Sequence, residues 1–209
     1  DSASATVLNS DPVVSAVTIT PNPANNDNTL TCTISATDAD GDTPSVSFTW
    51  TNMTTGSVLG SGTSVVLSTA TASSLDTVSC SVSVSDPDGG SDTGSASITL
   101  ENREPTIPAG VSLTPSSPTL SDTLTCAAAG LDADGDTVTL TYVWTVGTTS
   151  AGTGTTLSGA FSAGDTVTCT VTPDDGKGAT TGTAASASVT IQNTAPGPPT
   201  ATAMATPAM

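Results

Sequence analysis

The sequence predicts an all-β protein built from two tandem antiparallel β-sandwiches, each pinned by one disulfide between its sheets. Three observations carry this reading. A Cys and a Trp recur in the same setting, Cys32 to Trp50 (CTISATDADGDTPSVSFTW) and Cys126 to Trp144 (CAAAGLDADGDTVTLTYVW). A second Cys follows each, Cys80 and Cys169, within runs that alternate apolar and polar residues: Val78-Ser-Cys80-Ser-Val82-Ser-Val84 and Val167-Thr-Cys169-Thr-Val171. The residue palette is dominated by Thr, Ser, Ala, Val, Gly and Asp, with no useful stretch of helical periodicity. Two Cys that bracket a Trp suit a sandwich whose inter-sheet bridge packs on that Trp.

Taken in order, residues 1–8 (DSASATVL) match GSASITLEN at 94–102 and SASVTIQN at 186–193. They are therefore expected to be the last strand of a preceding repeat. The linkers Asn9-Ser-Asp-Pro, Asn102-Arg-Glu-Pro and Asn193-Thr-Ala-Pro recur at roughly 92-residue intervals, the size of one sandwich. Domain 1 is thus set at 9–101 and domain 2 at 102–192. Residues 193–209 are a linker with the start of a following repeat, or a disordered Pro/Ala/Thr tail. Strands are expected near 13–20, 29–37, 45–51, 63–68, 76–85 and 94–100. In the second repeat they are expected near 110–114, 122–130, 137–146, 154–159, 165–172 and 183–191. Phe48 and Trp50, like Tyr142 and Trp144, are two apart and share a face, which assigns them to the core. Each bridge closes a loop of roughly forty to fifty residues, worth on the order of 4 kcal/mol in the chain-entropy model.

Composition excludes several functions. The formal net charge is −17, and Arg103 and Lys177 are the only basic residues, so nucleic acid and anionic membranes are poor partners. No apolar run is long enough to span a membrane. Without His there is no Ser-His-Asp site and no imidazole metal ligand. Paired Asp can hydrolyse glycosides, but these lie in turns, without a cleft or spare aromatics to stack a sugar. No enzyme is expected. Cysteines spaced as intradomain pairs point to an oxidising compartment, outside the cell or at its surface.

Acidic turns carry the remaining chemistry. The turn DADGD places Asp38, Asp40 and Asp42 between the first Cys strand and the Trp strand, and Asp132, Asp134 and Asp136 repeat it. After the second Cys come Asp86 and Asp88 in one copy, Asp174 and Asp175 in the other. In a sandwich both loops lie at the end where the first strand enters, and there the linkers add Asn9 and Asp11, or Asn102 and Glu104. So many like charges call for a hard cation, and Ca²⁺ takes six to eight oxygens from such turns. The opposing reading is that Asp and Gly simply form solvated turns. The Glu that completes an EF-hand loop is missing from both copies. Asn52-Met-Thr54 matches the N-glycosylation triplet, marking Asn52 as an acceptor.

The N-x-x-P linkers, ATDADGD and GLDADGD, the F-x-W and Y-x-W pairs and the run Val82-Ser-Val84-Ser-Asp86 resemble the tandem immunoglobulin-like, polycystic-kidney-disease-like and cadherin-like modules of large bacterial surface proteins. The resemblance covers nearly the whole chain. It implies domains arranged end to end as a rod that serves as a stalk, spacer, adhesin or fibre subunit, with Ca²⁺ rigidifying the joints. Its partners would be neighbouring repeats and further copies in a fibre. The alternative is an adhesin arm or carbohydrate-binding accessory module recognising a surface glycan or protein. Two features depart from the pattern: Val78 and Val167 stand where the immunoglobulin tyrosine corner has Tyr, and cadherin-like modules generally lack a Cys–Trp–Cys core.

Overall fold

The computed structural model describes residues 3–4, 6, 8–178, 181–195 and 197. All regular structure in them is β, and it falls into two sandwiches that share one plan. The expectations for residues 1–8 and 193–209 rest in part on residues outside this set.

In the first sandwich, β1 (Val13–Thr20), β2 (Thr29–Thr37) and β5 (Ser64–Val66) form a three-stranded sheet in the order β1-β2-β5. Facing it is a four-stranded sheet, β4-β3-β6-β7, made of β3 (Ser45–Asn52), β4 (Ser57–Ser61), β6 (Thr77–Ser85) and β7 (Ser91–Thr99). The second sandwich repeats the plan. Its small sheet, β12-β9-β8, contains β8 (Ser112–Thr114), β9 (Leu124–Ala127) and β12 (Thr156–Leu157). Its large sheet, β11-β10-β13-β14, contains β10 (Thr139–Val146), β11 (Thr149–Thr153), β13 (Thr166–Asp174) and β14 (Ala185–Thr190). The ladders β1–β2, β2–β5, β3–β4, β3–β6 and β6–β7 of the first sandwich, and β8–β9, β9–β12, β10–β11 and β13–β14 of the second, are antiparallel.

The alternation in β6 sets its two faces. Val78, Cys80, Val82 and Val84 are buried, while Ser81, Ser83 and Ser85 face out. Cys80 opposes Trp50 across the β3–β6 ladder and bridges to Cys32 on β2 in the other sheet. Cys126 on β9 and Cys169 on β13 do the same for the second sandwich, beside Trp144. Both Trp are fully buried, so each indole N–H needs an acceptor inside the protein. Trp50 Nε1 donates to the Gly62 carbonyl at 3.0 Å, and Trp144 Nε1 donates to that of Gly154 at 2.8 Å.

Those acceptors end β4 and β11, two strands the sequence did not announce. Each hairpin carries an irregularity beside its Trp, between Trp50 and Thr51 and between Trp144 and Thr145, which lets Gly60 and Gly152 lie opposite the indoles. The predicted strand at 122–130 shortens to β9, and residues beyond Ala127 leave the ladder before Leu131 forms a single bridge with Thr106.

By compactness the chain divides into one unit of residues 1–106, 131–139 and 174–182 and another of 107–130, 140–173 and 183–209. The first unit therefore includes DADGD of the second repeat and the turn after its second Cys. Among the described residues no helix is long and apolar enough to cross a membrane.

Candidate metal centre

In each DADGD turn the chain reverses through a glycine of positive φ, 88° at Gly41 and 83° at Gly135, a conformation that a side chain would strain. The first Asp of the turn organises it. Asp38 Oδ1 accepts the backbone N–H of Asp40 at 2.8 Å and of Asp42 at 3.3 Å. Asp132 Oδ1 accepts those of Asp134 at 2.7 Å and Asp136 at 3.2 Å. Asp is suited to this because its short side chain reaches the amide two residues on.

The linker closes onto the turn in the same way twice. The Ser10 N–H donates to Asp40 Oδ2 and the Arg103 N–H to Asp134 Oδ2, both at 2.6 Å. Asn9 Nδ2 donates to Asp86 Oδ2 and Asn102 Nδ2 to Asp175 Oδ2, both at 2.9 Å. Asp86 Oδ1 also accepts the N–H groups of Asp88 and Gly90. Gly90 has no room for a side chain, because a Cβ there would overlap Asp86 Oδ2 and lie 2.6 Å from Asp11 Oδ1. The two asparagines thus staple linker to turn, a function that needs an amide donor and that the acidic pattern alone does not disclose.

The electrostatics follow the contacts. The Asn9 amide, opposed by burial and joined by the loop N–H groups, holds Asp86 below its ordinary carboxylate range. Asp175 is also lowered: burial works against its charge, but the Asn102 amide and the Lys177 N–H outweigh it. Asp42 is raised, first by desolvation and then by the crowding of Asp38, Asp88, Asp86 and Asp40. A hollow of about 470 Å³ opens beside it, lined by Leu8, Asn9, Asp40, Asp42 and Asp88.

Among the described residues, three buried oxygens in these clusters have no hydrogen-bond partner: Asp38 Oδ2, Asp132 Oδ2 and Asn102 Oδ1. They are acceptors only, and buried acceptors without a donor are costly. A hard cation would satisfy such oxygens, although Ca²⁺ takes six to eight at once. Among the described residues, however, no three carboxylates are gathered into a ready-made site, because the turns' own amides engage so many of their oxygens. Glu104 is exposed and makes no hydrogen bond among the described residues, whereas Asp174 accepts the Gly176 N–H at 2.8 Å.

The second cluster contains a feature that the acidic pattern hides. Arg103 Nη2 lies 2.7 Å from the Asp134 carboxylate, whose side chain is fully buried, and Nη1 lies 2.9 Å from Asp27. Asp134, then Asp27, hold the guanidinium above its usual range. Asn26, fully buried, donates Nδ2 to the Asp134 carbonyl at 2.8 Å, and Ser74 Oγ donates to Asp136 Oδ2 at 2.7 Å. Lys177 Nζ lies 3.3 Å from Asp136 Oδ1.

Asn52 corrects an expectation. It is fully buried: Nδ2 donates to Asp76 Oδ2 at 2.7 Å, and Oδ1 accepts the N–H groups of Thr54 and Thr55. The nitrogen that a glycan would occupy is engaged inside the fold, by the Asp76 carboxylate and the Thr71 carbonyl.

No family model matches the chain, and a search of characterised proteins finds no match either. Among solved structures, one similar chain is "Three N-terminal domains of the bacteriophage RB49 Highly Immunogenic Outer Capsid protein (Hoc)", with 21% identity and a TM-score of 0.30 over 87% of this chain. This chain spans 58% of the length of that one. Another is "Structures of Clostridium thermocellum CbhA fibronectin(III)-like modules", with 16% identity and a TM-score of 0.32, covering 85% of this chain and 94% of that one. Likeness of this size supports no functional assignment.

Proposed function

We propose that the chain is a non-enzymatic structural segment of an extracellular repeat protein of the kind found on bacterial surfaces, a spacer whose domains are held by disulfides and stiffened at their entrances by calcium. The carrying observation is the recurrence of one loop cluster in both sandwiches, each with a buried carboxylate oxygen, Asp38 Oδ2 or Asp132 Oδ2, that no donor meets. Two buried disulfides belong to an oxidising compartment. In this reading calcium draws the DADGD turn, the linker and the turn after the second Cys together, taking Asp38 in one cluster and Asp132 with Asn102 in the other. Neighbouring repeats and further copies of the protein are its partners. Amide hydrogen exchange tests the proposal: calcium should slow exchange at 38–42 and 132–136 relative to protein in chelator. Equal exchange in both conditions refutes calcium stiffening.

A further inference from the structure

The single arginine of the sequence stands on a linker, and its whole fork is engaged. Arg103 Nε donates to Asp134 Oδ1 at 2.8 Å and Nη1 to Asp27 Oδ2 at 2.9 Å. Nη2 donates to the Ala133 carbonyl at 3.0 Å and to Asn26 Oδ1 at 3.3 Å. The Asp134 side chain has no exposed surface. A planar guanidinium suits this place, because it can meet a carboxylate with one edge and further acceptors with the other. Around it, Asn26 Nδ2 donates to the Asp134 carbonyl and Ser74 Oγ to Asp136 Oδ2. Gly135, at the tip of the turn, comes so near Thr69 that a Cβ there would lie 3.2 Å from its methyl group. All of these residues belong to the first compact unit, so the turn at 131–139 is packed on the loops at 24–28 and 68–76 as part of that unit.

This contact has two halves, and the sequence repeats neither. Counted from the Cys residues, Asn26 aligns with Leu120, Asp27 with Ser121 and Ser74 with Ala163. The amide, the carboxylate and the hydroxyl that receive the turn are all missing from the second repeat, where Leu120 is half exposed instead. The linkers align Ser10 with Arg103. Asp40, the counterpart of Asp134, is exposed and accepts the Ser10 N–H at 2.6 Å, with no guanidinium beside it. Each half is costly without the other. Asp134 buried without a base is an uncompensated charge, and a guanidinium without Asp27 and Asn26 loses its outer acceptors.

We propose that the loops at 24–28 and 68–76 are a docking surface for one kind of partner, a DADGD turn led by an arginine-bearing linker, and that Arg103 is the residue that determines the match. Repeats of this kind are then not interchangeable. An entrance with Ser10 in its linker does not satisfy the surface that Asn26 and Asp27 build, and a surface of Leu120 and Ser121 does not satisfy an arginine. The right pair gains contacts, and the wrong pair is rejected by the charge it leaves unpaired. This recognition goes beyond the calcium reading and does not depend on it.

The experiment is amide hydrogen exchange on the full oxidised chain in chelator, where calcium contributes nothing. Three variants are compared with the wild type: Arg103→Ser, which copies the first linker; Asn26→Leu with Asp27→Ser and Ser74→Ala, which copies the second repeat's surface; and the two sets combined. Exchange at 131–136 should rise roughly tenfold or more in R103S, because the buried Asp134 loses its base. The rewritten surface should release the same segment, and the combined variant should release it no further, since both sets remove one contact. Protection in β6 and β13 should persist in all three. Exchange at 131–136 that stays within about twofold of the wild type in R103S overturns the proposal. So do effects that multiply in the combined variant, or a loss of protection that reaches β6 and β13 equally.

Discussion

At the scale of single residues, the informative positions are those where a side chain does something its type does not advertise. Asn52 ties the end of β3 to Asp76, which is itself nearly buried. Replacing it with Ala strands that carboxylate and the Thr54 and Thr55 amides, and should cost about 2 kcal/mol or more in urea unfolding. Mass analysis of the protein from a glycosylating host should find no sugar on Asn52. Leu75 is half exposed and holds a φ of 66°, where the equivalent position of the second repeat is Gly164 at 87°. Since an L side chain is strained there and this one buries little, Leu75→Gly should stabilise the first sandwich by about 1 kcal/mol. Arg103→Ala should do the reverse, costing about 2 kcal/mol once the partial exposure of the guanidinium is allowed for, because the Asp134 side chain stays buried without it.

At the scale of strands and loops, the Cys and Trp positions and the alternation in β6 and β13 announced the central strands. Those residues work by burial, which leaves a period of two in the sequence. What escaped were β4 and β11. Ser57-Val-Leu-Gly-Ser and Thr149-Ser-Ala-Gly-Thr are edge strands whose glycines answer to a neighbouring indole, a constraint from outside the segment. The acidic clusters were legible in part for the same reason. Repetition exposed the aspartates, but the staples Asn9 and Asn102 and the ion pairs of Arg103 and Lys177 join residues far apart in the chain, and no local pattern reports them. The disulfides give an element-level test. They close segments of 48 and 43 residues, so converting either pair to Ser should cost a similar amount, about 4 kcal/mol, in chemical denaturation.

For the whole molecule, charge decides behaviour. Asp86, Asp92, Asp122 and Asp175 have carboxyls lowered in the folded state by N–H and amide donors, so their contribution is present at neutral pH and is lost as pH falls through the folded values. Asp42 has the opposite sign. Its raised carboxyl makes its charge a cost at neutral pH, relieved as pH falls through that raised value. Chelator-treated protein should therefore gain a little thermal stability as pH falls through the raised Asp42 value and lose stability as pH falls below the ordinary carboxylate range, about 4. With calcium bound the early gain should vanish, because the ion already offsets the Asp42 charge.

The most direct test of calcium-stiffened domains is thermal unfolding of the full oxidised chain in excess CaCl₂ against chelator. Ligand at a hundred times its dissociation constant adds about 2.7 kcal/mol, which for domains of this size raises the midpoint by roughly 10 °C or more. The account predicts such a rise, abolished in a chain carrying both Asp38→Asn and Asp132→Asn. Superimposable melts in calcium and chelator would contradict it and leave the acidic clusters as turns held by their own amides.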